Sequence, residues 1–250
     1  MLTLGIDLST DPKKTGVCAI RWTHEGPRLQ DVHGPWDDEA LLHQIQQSDV
    51  AGIDVPFGWP QAFVDAISGW SSGKLWPGPY GPDTRAALCF RTTDALLKRE
   101  HGLQPLSVAT DRLGATAMRA AGMLAELDCR GVDVDRSGLT GKVVEVYPAA
   151  ALARWSLQSK GYKGTQESAR VARGYTVEQI AEAVALPLDG SQRALLVDVD
   201  HEFDALVSAL VARASRIPGG TLAPDSEQRG SAAREGWIHL PSLALGELGV

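Results

Sequence analysis

The sequence predicts an α/β fold built on a mixed sheet, and three features lead there. Two apolar runs each close on a Gly-Ile-Asp triplet, Gly5-Ile6-Asp7 and Gly52-Ile53-Asp54, which puts a carboxylate where a buried strand emerges. The first half reads in the order β-β-β-α-β. Late in the chain, Phe203, Leu206, Val207, Leu210 and Val211 form a clean helical stripe.

Residues 2–8 read as a buried strand and residues 15–22 as a second. The Asp11-Pro12-Lys13-Lys14 turn, and the Glu25-Gly26 turn before a weaker third strand at 27–33, make these an antiparallel meander. Asp37 or Asp38 then caps a helix carrying Leu41, Leu42 and Ile45. The fourth strand, 50–55, is reached through that helix and is expected to run parallel to the first. Residues 56–110 differ: Trp59, Trp70, Trp76, Tyr80 and many Gly and Pro residues suggest a long structured loop or lid, with a helix over 85–98. A helix follows over 115–127, then a fifth strand over 142–147 and a helix over 148–155, with Pro148 suited to its first turn. Residues 156–176 are polar and basic, and Thr176 is placed to cap a short helix over 177–184. The apolar stripe predicts a helix over about 200–215, followed by a flexible surface stretch (218–234) and a last short strand (237–240). The triplets are the one internal repeat, so 1–250 reads as a single domain with 56–110 inserted.

A chain of 250 residues with 44% hydrophobic residues can bury a real core. No apolar run approaches the ~20 residues of a membrane-spanning helix, so no membrane association is expected. The start, Met1-Leu2-Thr3-Leu4-Gly5, lacks the basic region of a signal peptide. Cys18, Cys89 and Cys129 are widely separated, which argues for a reducing, cytoplasmic setting and against disulfides or a zinc site. The net charge of −7 weighs against a broad duplex-binding surface. It is compatible with a carboxylate site whose charge a bound metal offsets.

Asp7 and Asp54 end buried strands, where unpaired carboxylates are costly. Asp204 lies inside the late helix beside Phe203, where a cap does not explain it, and Asp200 shares its face four residues earlier. Asp200 reads either as a ligand or as a cap, and Asp198 as a cap. Glu145 alternates with apolar neighbours in Val143-Val144-Glu145-Val146 and reads either as a fourth acid of the site or as a strand residue paired with Lys or Arg. Asp7, Asp54, Glu145 and Asp204 thus form the candidate catalytic set. Mg²⁺ or Mn²⁺ suits such oxygen ligands, and two ions roughly 3.5–4 Å apart can bind the attacking water and the leaving oxygen of a phosphodiester. No Ser–His–Asp set, P-loop or GxGxxG pattern is present.

The chain resembles the predicted RNase H-like nuclease family, a domain-of-unknown-function family of the ribonuclease H-like superfamily. The resemblance rests on Gly5-Ile6-Asp7, Gly52-Ile53-Asp54-Val55-Pro56-Phe57-Gly58, Arg91-Thr92-Thr93-Asp94, Glu145-Val146-Tyr147-Pro148, Asp204-Ala205-Leu206 and Glu235-Gly236-Trp237-Ile238, in order over nearly the whole chain. It implies an RNase H-like fold, a mixed five-stranded sheet with helices on both faces. It also implies a two-metal site from Asp7, Asp54 and Asp204, with Glu145 or Asp200 as the fourth acid.

Arg91 and Asp94 read as an ion pair or as a phosphate contact, with Arg112 able to join them. Lys163 and Arg173 read as backbone-phosphate contacts or as a solvated loop. Trp59, Trp70 and Trp76 read as base-stacking platforms or as a small local core. The leading expectation is a metal-dependent nuclease, acting on DNA or RNA. Two alternatives stand beside it: an actin-like ATP-binding or kinase-like protein, whose first phosphate loop Gly5–Thr10 with Thr15-Gly16 resembles, and a non-catalytic RNase H-like binding module.

Overall fold

The computed structural model describes residues 1–32, 34–78 and 81–249. His33, where the third predicted strand ends, and Tyr80 of the predicted lid lie outside the described residues. Five strands, β1 (Leu2–Asp7), β2 (Gly16–Thr23), β3 (Gly26–Gln30), β4 (Val50–Asp54) and β5 (Val143–Glu145), form one sheet in the order β3-β2-β1-β4-β5. The β1–β2 and β2–β3 pairs are antiparallel, and β1–β4 and β4–β5 are parallel. The meander and the parallel return through a helix are therefore as the sequence predicts. That helix, α1 (Asp38–Gln47), is capped by Asp37, whose side chain accepts from the Ala40 amide at 2.9 Å.

Strand alternation divides the core between two faces. Leu4, Ile6, Ala51 and Ile53 pack with Leu41, Leu42 and Ile45 of α1 and with Met123, Leu124 and Leu127 of α5 (Gly114–Cys129). The opposite face, with Cys18, Ile20, Val50 and Val144, receives α6 (Pro148–Arg154), α7 (Glu167–Ala183), α8 (Gly190–Asp198) and α9 (Asp200–Ser215).

The central helix of that second layer is α9. Its Phe203, Leu206, Val207, Leu210 and Val211 are wholly buried, each worth about 1.5–3 kcal/mol of apolar burial. Its backbone meets glycines of the sheet. A Cβ on Gly5 would lie 1.9 Å from the Ala205 carbonyl oxygen, one on Gly16 2.0 Å from that of His201, and one on Gly52 2.4 Å from that of Ser208. Three glycines on three neighbouring strands thus let the helix backbone touch the sheet.

Several boundaries differ from the sequence reading. The 56–110 segment is mostly helical, with α2 (Gln61–Ser71), α3 (Pro82–Cys89) and α4 (Thr92–His101). The expected single helix over 85–98 is two, because the extended backbone at Phe90 and Arg91 separates them. The helix expected at 177–184 begins at Glu167. Thr176 sits inside it as a buried residue whose hydroxyl donates to the Ala172 carbonyl at 2.8 Å, so it caps nothing. The 218–234 stretch leads into α10 (Arg229–Glu235), which buries Ala232. Residues 237–240 make one parallel bridge, Glu145 with Ile238, and no strand.

Candidate metal centre

Asp7 and Asp54 are register partners at the ends of parallel β1 and β4. Both lie two residues beyond a glycine, so alternation puts them on the α9 face, where the glycine contacts admit the helix. Asp204 stands one residue before Ala205, the residue that touches Gly5. One ligand oxygen from each of Asp7, Asp54 and Asp204 lies within 4.8 Å of the others. Burial, then the neighbouring Asp54 and Asp204 charges, hold the Asp7 carboxyl well above its usual range. Burial pushes Asp54 up to about 7 against the pull of Lys163, with Asp204 adding to the rise. Asp204 is raised by burial too, although Lys163 and Tyr162 pull it down.

Asp204 is the most engaged of the three. The Tyr162 hydroxyl donates to its Oδ1 at 2.9 Å, and the Lys163 ammonium donates to its Oδ2. The loop that brings these two residues is braced from several directions. The Gly164 amide donates to Asp200 Oδ2 at 2.8 Å. Arg173, fully buried, donates to the Tyr162 carbonyl, to the Gly164 carbonyl at 2.9 Å, and to the Val197 and Asp198 carbonyls at 2.7 and 3.3 Å. Those last two carbonyls end α8, where helical acceptors lack intrahelical donors.

Neither reading of Arg173 made from the sequence survives, since it is neither solvated nor open to a phosphate: its donors are spent inside the fold. Asp200 does not join the carboxylate group. Its Oδ2 takes the loop amide, its Oδ1 lies 3.7 Å from His201 Nδ1, and α9 has no side-chain cap. Asp198 caps nothing either, and pairs with Arg170 at 2.6 Å across the surface.

Glu145 also departs from the acid set, for a reason of register. It pairs with Ile53 across β4–β5, so it lies on the face opposite Asp54. There it meets Arg91, with Nη2–Oε1 at 2.8 Å and Nη1–Oε2 at 2.9 Å, and its Oε2 also accepts from the Phe57 amide at 2.9 Å. The other Arg91 donors reach Asp94 Oδ2 and Oδ1 (3.0 and 2.9 Å) and the Glu235 carbonyl (3.1 Å). All five guanidinium hydrogens are thus used, and none remains for a phosphate. Asp94 is buried and closes the same knot through the Arg91 amide at 3.0 Å. Glu235 accepts from the first amides of α2 and α4, Gln61 at 2.9 Å and Thr92 at 2.8 Å, which suits an anion at helix N-termini.

The family model described as "Protein of unknown function (DUF429)" matches residues 5–229. The chain belongs to the DUF429 family. No curated protein and no solved structure matches it.

In this DUF429 protein Asp7 and Asp54 line a cleft of about 460 Å³, with Asp204 buried behind them. Lys163, Leu106 and Arg112 line it too, as do Arg91, Asp94 and Glu145 of the buried knot. Arg112 is exposed and makes no hydrogen bond or ion pair among the described residues. Of the five residues read as substrate contacts, it alone presents a free guanidinium to the cleft. Trp70 and Trp76 meet edge to face with centroids 6.2 Å apart, and no tryptophan lines the cleft. Sequence reasoning missed Tyr162 altogether and did not foresee the contact of Lys163 with Asp204. The available signal was the adjacency of Tyr162, Lys163 and Gly164 ahead of the helix that carries Asp204 beside Phe203. Among the described residues no helix is long and apolar enough to cross a membrane.

The donor set fits a hard divalent cation. Three carboxylates converge, each is raised above its usual range, and among the described residues one ammonium, that of Lys163, pairs with them. A site holding this much uncompensated negative charge stabilises a cation and is itself stabilised by one.

Proposed function

We propose that this DUF429 protein is a metal-dependent phosphodiesterase of RNase H-like architecture, which hydrolyses nucleic acid with Mg²⁺ or Mn²⁺ held by Asp7, Asp54 and Asp204. One observation carries the reading: three carboxylates from β1, β4 and α9 converge within 4.8 Å, and two of them, Asp7 and Asp54, line a cleft. The mixed five-stranded sheet with helices on both faces agrees with what the resemblance implies and supports this reading. Bound there, the ion supplies a Lewis acid and a water activated near neutral pH.

The residues around it have separable tasks. Asp7 and Asp54 hold charge at the sheet edge, and Asp204 completes the donor set from the helix. Arg112, on the lining of the same cleft, pairs with a backbone phosphate and sets the strand's register over the acids. Leu106 and Pro105 give the cleft an apolar wall, and the 56–110 segment that supplies them acts as the lid. The Arg91–Asp94–Glu145 knot holds the base of that segment to β5 and stays out of the chemistry.

The actin-like alternative has less support. The Ser9–Thr15 turn that would be its phosphate loop is closed on itself, with the Ser9 amide donating to Thr15 Oγ1 at 3.2 Å and Arg119 seated on the Ser9 carbonyl.

The test is cleavage of labelled single-stranded, duplex and branched substrates with Mg²⁺ or Mn²⁺, beside calorimetric titration with Mn²⁺ alone. Wild type should bind the ion and cut. Asp7→Asn and Asp54→Asn should lose both properties while staying folded. Equal cleavage by Asp7→Asn removes this site from the reaction.

A further inference from the structure

We propose that Lys163 is the built-in cation of the carboxylate site: its ammonium fills the place of a second metal ion, so the site takes one divalent ion. This rests on the metal-dependent reading above and departs from the two-ion arrangement that the family resemblance implies.

Three observations support it. The first is placement. The ammonium donates to Asp204 Oδ2, and Lys163 lines the same cleft as Asp7 and Asp54, whose ligand oxygens lie within 4.8 Å of those of Asp204. The second is construction. A lysine that merely drifted onto an acid would sit on an unconstrained loop. Here the residues on either side of it are tied down, Tyr162 through its hydroxyl to Asp204 and its carbonyl to Arg173, and Gly164 through its amide to Asp200 and its carbonyl to Arg173. Gly161 and Gly164 take positive φ values of 72° and 99°, backbone that other residues rarely adopt, so the loop's path is specified as well as its anchors. The half-exposed stem of Lys163 reaches from this brace to the wholly buried Asp204.

The third observation is charge. Three carboxylates are neutralised by one divalent ion plus one ammonium. A second divalent ion beside a retained Lys163 would leave the buried site with an excess of positive charge, which low-dielectric surroundings penalise. Asp204 also has one direction of each oxygen already taken, by Tyr162 and by Lys163, which limits it to a single further ligand bond per oxygen.

The test is the stoichiometry of Mn²⁺ binding, read by calorimetry and by electron paramagnetic resonance on the full chain. Wild type should bind one ion. Lys163→Ala should bind two, with spin coupling between them, and Lys163→Arg, which keeps the charge, should bind one. Circular dichroism melts of each variant report whether the fold is intact. Two ions in wild type, or one uncoupled ion in a folded Lys163→Ala, overturns the lysine proposal and leaves the metal site standing. No ion in wild type removes the metal site as well.

Discussion

Replacing Gly5 by alanine puts a methyl group where the backbone of α9 already lies. The new Cβ would stand 1.9 Å from the Ala205 carbonyl oxygen and 2.4 Å from the Ala209 amide nitrogen, against 3.4 Å for ordinary contact. The helix therefore has to retreat by about 1.5 Å at that point. Overpacking costs about 1–3 kcal/mol where neighbours can yield. The atoms struck here are main chain, in a stretch from Ala205 to Ala212 with no solvent-exposed surface, so the cost belongs at or above about 3 kcal/mol. That is a large share of the ~5–15 kcal/mol that holds a domain together. The same retreat carries Asp204 away from Asp7 and Asp54, beyond the ~0.5 Å that a functional constellation tolerates. Urea unfolding followed by circular dichroism should show the loss of stability, and Mn²⁺ titration of the folded fraction should show at least a tenfold loss of affinity. Gly122→Ala is the control. It lies on the exposed side of α5 with open space around it, so it should stabilise by about 0.5–1 kcal/mol. A Gly5→Ala protein within about 0.5 kcal/mol of wild type, with its Mn²⁺ affinity intact, would refute the close approach as the device that builds the site.

Three further outcomes follow from the same structure. Burial pushes Asp54 up to about 7 in the fold, against an ordinary carboxylate near 3.8, so the native state binds that proton more tightly than the unfolded chain. The stability it lends the metal-free protein is complete below ~4 and is lost as pH rises through ~7, by up to about 4 kcal/mol. Urea midpoints in chelator at pH 5 and pH 8 should therefore differ more for wild type than for Asp54→Asn, and equal differences would contradict the assignment. Arg91→Lys cannot satisfy Glu145 and Asp94 together, and breaking this buried network should cost about 3–5 kcal/mol while the folded protein keeps its Mn²⁺ stoichiometry. Arg112→Ala should leave the melting temperature unchanged, weaken nucleic-acid binding, and lower the slope of log affinity against log salt by about 0.7–0.9.

The sheet was legible because its signals are local. Alternation, turns and one intervening helix determine the meander and the parallel return, and they require no knowledge of distant contacts. The helices of the 56–110 segment were not, because their boundaries are determined by partners far away in the chain. Arg91 breaks a helix in order to reach Glu145, and Glu235 binds the N-termini of α2 and α4. The polar and basic composition of residues 156–176 obscured the start of α7 in the same way. Arg173 reads as a surface residue until its carbonyl partners on two other segments are known.

The acids divide along the same line, and the division has a geometric cause. In a Gly-Ile-Asp triplet the glycine and the aspartate share one face of the strand and the isoleucine takes the other. Ile6 and Ile53 pack against the α1 and α5 side. Gly5 and Gly52 are register partners that admit α9, and Asp7 and Asp54 are register partners that the admitted helix must then face. One three-residue pattern thus specifies a core contact, a close approach and a ligand, and repeating it on adjacent parallel strands doubles all three. Asp204 is the acid that the approaching helix carries into that place, which accounts for a charged residue at zero exposure inside a helix. Glu145 was grouped with these residues because it too ends a strand among apolar neighbours. It pairs across the sheet with Ile53 and not with Asp54, and that single step of register gives it to Arg91 instead of to the acids.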